Sequence, residues 1–222
     1  MALILSIETS TASCSVALHH QGRLLAVSVL HAPNTAASHL TGMIDEVMLA
    51  SSHAMKELAG VAVSGGPGSY TGLRIGTSTA KGICFGLRIP LLAIGSLRIL
   101  ALQAPHDYDL VCPMIDARRM EVYCSLFDDR MTEILSPHAR IIERDSFRDE
   151  LDRHMIHFIG DGAAKCSVII RHPNARFSSG RVDRAAAMGE EAYRKFLAGE
   201  TENLGFYEPF YLKEFVAKTK SA

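Results

Sequence analysis

Residues 2–8 are apolar apart from Ser6 and stop at Glu8, the pattern of a strand buried on both faces. Residues 13–19 repeat that pattern, and Gln21-Gly22 marks a turn into a third strand over 23–30. Leu40, Met43, Ile44, Val47 and Met48 then fall at i, i+3, i+4, i+7 and i+8. That spacing predicts a helix running to about Ser51, with Asn34 or Thr35 as its cap. A fourth strand covers 60–64 and leads through a glycine-rich turn into a helical run from Leu73 to Phe85. Pro90 opens a fifth strand to Ile94, and Ser96 is placed to cap a short helix to Gln103. The order is β-β-β-α-β-α-β-α.

Ala104-Pro105-His106-Asp107 breaks the pattern, which divides the chain into parts 1–104 and 105–222. The second part also begins with an apolar strand that ends in an acid, Leu110–Asp116. Strands are expected at Glu121–Phe127, 140–142 and His157–Ile159. Helices are expected from Asp145 or Ser146 to Arg153, over Ala163–Ile170 and over Asp183–Ala198, where Gly199 stops the last one. The tail after 200 has no period, and Lys213, Lys218 and Lys220 read as a solvated end.

Composition narrows the classes. With 48% hydrophobic residues among 222, the chain can fill one large core or two small ones. A net charge of −1 supplies no global field to draw nucleic acid, so any contact with RNA must be local or supplied by a partner. The five cysteines are odd in number and sit in apolar runs, which fits reduced, buried thiols and a cytoplasmic location. The N-terminus lacks a basic region and Glu8 interrupts its apolar run, so neither a signal peptide nor a membrane partner is expected.

The stretch Ser64-Gly65-Gly66-Pro67-Gly68-Ser69-Tyr70-Thr71-Gly72-Leu73-Arg74-Ile75-Gly76 joins a strand to a helix. Such a turn can aim backbone N–H groups at an anion, or it can simply turn the chain. It is no P-loop, because Gly-Lys-Ser/Thr is absent. It also lacks the frames of a dinucleotide fingerprint and of a nucleophile elbow, and Pro67 removes one N–H. Ser69 has no base identifiable from sequence, so no hydrolase triad emerges. His154-x-x-His157 and His19-His20 are the close histidine pairs, and no three- or four-ligand metal set can be built from local spacing. Gly72, Gly76 and Ala80 form a small-residue stripe at i, i+4 and i+8. It suits either the chain's own sheet or a partner helix that approaches closely.

The thirteen-residue turn resembles the GPGS(F/Y)TGLRIG signature of the TsaB (YeaZ) family. Ile4-Leu5-Ser6-Ile7-Glu8-Thr9-Ser10-Thr11, Asp116-Ala117-Arg118-Arg119-Met120-Glu121-Val122-Tyr123 and Glu208-Pro209-x-Tyr211-Leu212-Lys213 are similar to that family as well. The resemblance implies an α/β, actin-like (ASKHA, ribonuclease H-like) duplicated fold. It implies a non-catalytic scaffold with no cofactor of its own. The scaffold would bind and stabilise a TsaD-type transferase that places threonylcarbamoyl on N6 of adenosine 37 in tRNA, together with a TsaE-type ATPase. When alone it would form a homodimer.

The interface implied is 36–50 and 72–85, with His39, Leu40, Met43, Val47, Leu73, Gly76 and Ala80 as contacts and Gly66, Gly68 and Gly72 shaping the turn. On that basis Gly76→Arg should abolish partner binding and spare the fold. Glu8, Asp116 and Asp161 match the acids of a nucleotide cleft between the halves, here expected to be vestigial, with at most a weak nucleotide shared with the partner. Relatives that use nucleotide have Asp where Glu8 stands, and the added methylene displaces the carboxylate from a magnesium site. The transferase's His-x-x-x-His pair is also absent from the matching Ile94–Leu100 stretch. The alternative is an ATP-dependent transferase that works through Glu8, Asp116 and the glycine turn.

Overall fold

A computed structural model describes residues 2–32, 36–105, 107–181 and 184–213. In the first half, β1 (Leu3–Glu8), β2 (Ser13–His20) and β3 (Arg23–His31) form an antiparallel meander. Helix α1 (Ala36–Ala50), β4 (Gly60–Ser64), α2 (Tyr70–Leu87), β5 (Leu91–Ile94) and α3 (Ser96–Ala101) follow. The sheet order is β3-β2-β1-β4-β5, with β4 parallel to β1 and β5 parallel to β4.

The second half repeats the plan with β6 (Leu110–Asp116), β7 (Glu121–Asp128), β8 (Glu133–Ile141), α4 (Arg148–Leu151), β9 (Ile156–Ile159), α5 (Asp161–Cys166), β10 (Ala175–Ser178) and α6 (Gly189–Ala198). Its sheet order, β8-β7-β6-β9-β10, is that of the first sheet. The duplicated α/β fold expected from the resemblance is therefore present.

Strand β1 is buried along its whole length because both sheet faces are covered. Leu3, Leu5 and Ile7 meet Leu40, Met43, Ile44 and Val47 of α1 and Ala80 of α2. Ile4 faces the other way, onto Met188 and onto Ala192 of α6. The last helix of the second half thus covers the first sheet. In return, α3 sends Leu97, Leu100 and Ala101 onto Val111, Ile115, Phe127 and Ile159 of the second sheet, while its Ile99 stays in the first core. Arg98 of α3 adds a 2.8 Å ion pair to Glu191 of α6. The two halves are joined by this exchange of helices.

Several boundaries move for local reasons. Helix α2 begins at Tyr70 because the Ser69 hydroxyl accepts the Gly72 N–H at 3.2 Å. Ser96 caps nothing; its hydroxyl accepts the Gly66 N–H at 3.1 Å. Strand β8 starts at Glu133, and β10 was absent from the expectation. The helix predicted over 145–153 shrinks to α4, because Phe147 takes a positive φ of 62° to bury its ring. The helix predicted over Ala163–Ile170 is Asp161–Cys166 instead. The one predicted from Asp183 is a 3-10 turn, Arg184–Met188, followed by α6. Asn34, Thr35, His106, Asp183, Lys218 and Lys220 lie outside the described residues. Lys213 is not a free end: it pairs with Glu121.

His19 shows how burial enters stability. It is fully buried, its Nδ1 accepts from the Ser6 hydroxyl at 3.2 Å, and its Nε2–H donates to the Ala186 carbonyl at 3.2 Å. Burial pulls its pKa below the ordinary 6.5, opposed by the Ala186 bond. Burial lowers that of His157 in the same way. Below pH 6.5 the unfolded chain takes up these protons and the native chain does not, so stability falls as pH drops. The urea midpoint is expected to decline from about pH 7 to about pH 5, with a smaller slope in His19→Asn. An equal slope in that variant would show that His19 contributes nothing to it.

Candidate functional site

A cleft of about 910 Å³ lies between the halves. Its walls are the loop Thr9–Cys14, the turn Gly68–Gly72, the stretch Ile115–Arg118 with Asp161, and Tyr211–Lys213.

The glycine turn is shaped by the β1–β2 loop beneath it. A Cβ at Gly68 would stand 2.3 Å from the Ser10 carbonyl oxygen, one at Gly72 2.0 Å from that of Thr9, and one at Gly76 2.3 Å from the Thr9 hydroxyl. The Thr9 hydroxyl donates to the Gly72 carbonyl at 2.8 Å, and the Ser69 N–H to the Ser10 carbonyl at 2.7 Å. N–H groups of Gly65, Gly66, Ser69, Gly72 and Leu73 all donate within the chain. The turn spends these donors on its own packing.

Of the three acids, the structure brings Asp116 and Asp161 together and holds Glu8 apart. Glu8 is 1% exposed and does not line the cleft. Its Oε1 accepts from the Ser10 N–H at 2.7 Å and from the Ser10 hydroxyl, which closes the β1–β2 loop. Its Oε2 is buried without a partner among the described residues. Asp116 accepts from the Arg118 N–H at 2.8 Å and from the Lys165 ammonium. Asp161 accepts from the N–H groups of Asp116 at 3.3 Å and Gly162 at 3.1 Å. Arg184, 3.9 Å from Asp161, was not foreseen at this site.

The alternative ATP-dependent reading requires a magnesium-nucleotide site, and the residues present do not fit magnesium at Asp116. The Lys165 ammonium sits on Asp116 Oδ1, where its positive charge repels a divalent cation, and it also donates to the Arg119 and Glu121 carbonyls at 2.8 and 2.7 Å. Among the described residues no group of three or more His, Cys, Asp or Glu is arranged to hold a metal ion. His154 is exposed, whereas His157 is buried against the Ser178 hydroxyl at 2.7 Å. All five cysteines are free and buried. Cys14 lines the cleft, and burial, with the nearby Glu8 charge, pushes its thiol up to about 11.

The helix stripe requires a correction. Leu73, Gly76 and Ala80 are buried in the chain's own core, as are Leu40, Met43 and Val47, so none presents surface to a partner. Of the expected contacts, His39 is exposed. The outward face of α2 carries a second stripe, Ser78, Gly82 and Gly86, also at i, i+4 and i+8, and a Cβ at Gly82 or Gly86 would meet nothing within 4 Å. Phe85 beside it is 80% exposed, and Leu49 of α1 is 79% exposed. Both helices return from one parallel strand toward the next, so they run alongside each other and place Leu49 and Phe85 near the same end of the layer. Among the described residues no helix is long and apolar enough to cross a membrane.

Comparison with known proteins agrees with this geometry. A family model for the tRNA N6-adenosine threonylcarbamoyltransferase TsaD matches residues 31–220. The tRNA threonylcarbamoyladenosine biosynthesis protein TsaB of Haemophilus influenzae is 37% identical over 124 residues, 55% of this chain and 52% of its own. That of Bacillus subtilis is 33% identical over 124 residues, 56% of this chain and 54% of its own. The chain spans about half the length of the curated relatives it matches. A Pseudomonas aeruginosa crystal structure, described by its similarity to the peptidase YeaZ, is 26% identical with a TM-score of 0.83 and covers 96% of this chain and 100% of its own. With the twin sheets and the glycine turn in place and most of its length matched, the chain belongs to the TsaB/YeaZ family, within the group that the threonylcarbamoyltransferase model describes.

Proposed function

We propose that the chain is a non-catalytic scaffold subunit of the machinery that makes N6-threonylcarbamoyladenosine at position 37 of tRNA. It docks a TsaD-type transferase through the outward face of α1 and α2. The observation that carries this reading is the internal commitment of the candidate acids: Asp116 is held at Oδ1 by Lys165, and Glu8, outside the cleft, is held under the loop by Ser10. Side chains tied up in this way hold the fold and are poorly placed to exchange protons with a substrate. The exposed Phe85 and Leu49 beside an open glycine stripe supply what a partner helix needs, which is apolar area and close backbone approach. A second copy would use the same face when the transferase is absent. A TsaE-type ATPase joins the complex, tRNA is met only through it, and any nucleotide in the cleft is shared with the partner.

The cleft of about 910 Å³ favours a second reading, an ATP-dependent transferase acting through Glu8, Asp116 and the turn. Reconstituted tRNA modification with and without the chain, and with its cleft acids replaced, separates the two.

A further inference from the structure

The tail motif Glu208–Lys213 and the glycine signature lie more than a hundred residues apart, and the structure joins them. Past α6 the chain runs back over the first half. The Glu202 N–H donates to the Leu91 carbonyl at 2.9 Å, on the edge of the first sheet. Tyr207 packs against the first core, and its carbonyl accepts from Lys81 at 3.2 Å. The Phe210 N–H donates to the Gly65 carbonyl at 2.8 Å. Gly66, with φ of 93°, has to be glycine here, since a Cβ would stand 2.3 Å from the Phe210 carbonyl oxygen. The ring of Tyr211 then lies 5.0 Å from that of Tyr70 at the start of α2. Each of these contacts is to the first half. At Lys213 the segment crosses the cleft mouth and pairs with Glu121 at the start of β7 in the second half.

We propose that residues 207–213 are a latch that closes one wall of the cleft, with the Lys213–Glu121 ion pair as its releasable end. The two ends differ in strength. The first-half end is held by the Phe210–Gly65 backbone hydrogen bond, the Lys81 bond to the Tyr207 carbonyl, a tilted Tyr211–Tyr70 ring contact and the half-buried Tyr207. The second-half end is an ion pair whose side chains are 45% and 22% exposed, which salt screens. Under load, the ion pair gives first. Its release takes Leu212 and Lys213 off the cleft and opens it toward the wall where Cys14 sits at 2% exposure. The latch operates whichever reaction the cleft serves, so its test stands apart from the scaffold reading.

Cys14 is a built-in reporter, and the other four cysteines are controls. Cys14 and Cys84 both belong to the first core, but of the five cysteines Cys14 alone also lines the cleft, and Cys112, Cys124 and Cys166 are in the second core. The full chain is treated with N-ethylmaleimide, and labelling at each cysteine is followed by peptide mass mapping. In Lys213→Glu and in Glu121→Lys, Cys14 is expected to react about three- to fivefold faster, the factor one exposed ion pair allows, with the other four rates unchanged. The double reversal, Glu121→Lys with Lys213→Glu, is expected to restore the slow rate. High salt should speed Cys14 in the unaltered chain. A Cys14 rate unmoved by the single reversals overturns the latch, as does a rise shared by all five cysteines or a double reversal that stays fast.

Discussion

Gly72→Ala is expected to destabilise the protein by about 2 kcal/mol or more, although it is the smallest change possible at that position. A helix gains about 1 kcal/mol when an interior glycine becomes alanine. Here the added methyl would stand 2.0 Å from the Thr9 carbonyl oxygen, in a loop pinned to the turn by the Ser69 N–H bond to the Ser10 carbonyl and the Thr9 hydroxyl bond to the Gly72 carbonyl. Forced overpacking of that kind costs about 3 kcal/mol or more, so the steric cost outweighs the helical gain. A typical domain has about 5–15 kcal/mol in total. The matched control is Gly82→Ala in the same helix, where nothing lies within 4 Å of the new methyl and a small gain is expected. Urea midpoints of the two variants should move in opposite directions. An unchanged midpoint for Gly72→Ala would mean that the turn does not rest on the Thr9–Ser10 loop as described.

The second large effect concerns association. Gly82→Arg is expected to weaken binding to a TsaD-type partner at least about a hundredfold, because an arginine in the outward stripe holds a facing helix away. The folded monomer should keep its thermal midpoint or gain slightly. Gly76→Arg is expected to fail differently, since its side chain would have to displace the Thr9 hydroxyl 2.3 Å from its Cβ, and the monomer itself would be damaged. Titration calorimetry of the partner against each folded variant distinguishes the two faces. Native affinity in Gly82→Arg would remove the outward stripe from the interface.

These two substitutions also mark where the sequence is legible. The apolar runs of β1 and β4 and the spacing of Leu40, Met43, Ile44 and Val47 specify buried elements with strong hydrophobic contrast, and all appear as expected. Along α2 the contrast vanishes. Gly72, Gly76 and Ala80 and the opposite stripe of Ser78, Gly82 and Gly86 are both small, so only the tertiary contact with Thr9 shows which faces inward. The tail is unreadable for a different reason. It is extended and held by backbone hydrogen bonds to Gly65 and Leu91, which leave no periodicity in its side chains. Strand β10 is four residues long and buries only Ala175 fully, too little to stand out against a loop. The exchange of α3 and α6 between the halves depends on distant chain segments and has no local signature. The role of Glu8 was partly readable, because its bonding partner, Ser10, is only two residues away.

The central claim is that the chain is required for the tRNA modification without performing its chemistry. The most direct measurement reconstitutes the reaction from a TsaD-type transferase, a TsaE-type ATPase, the enzyme that makes threonylcarbamoyl-adenylate, tRNA, threonine, bicarbonate and ATP. Modified adenosine is scored without the chain, with it, and with its Glu8→Ala and Asp116→Ala forms, each first shown to fold and to bind the transferase. The account predicts product only when the chain is present, and near-native product with both substitutions. Product lost in a folded, partner-binding Asp116→Ala form would contradict it and assign chemistry to the cleft.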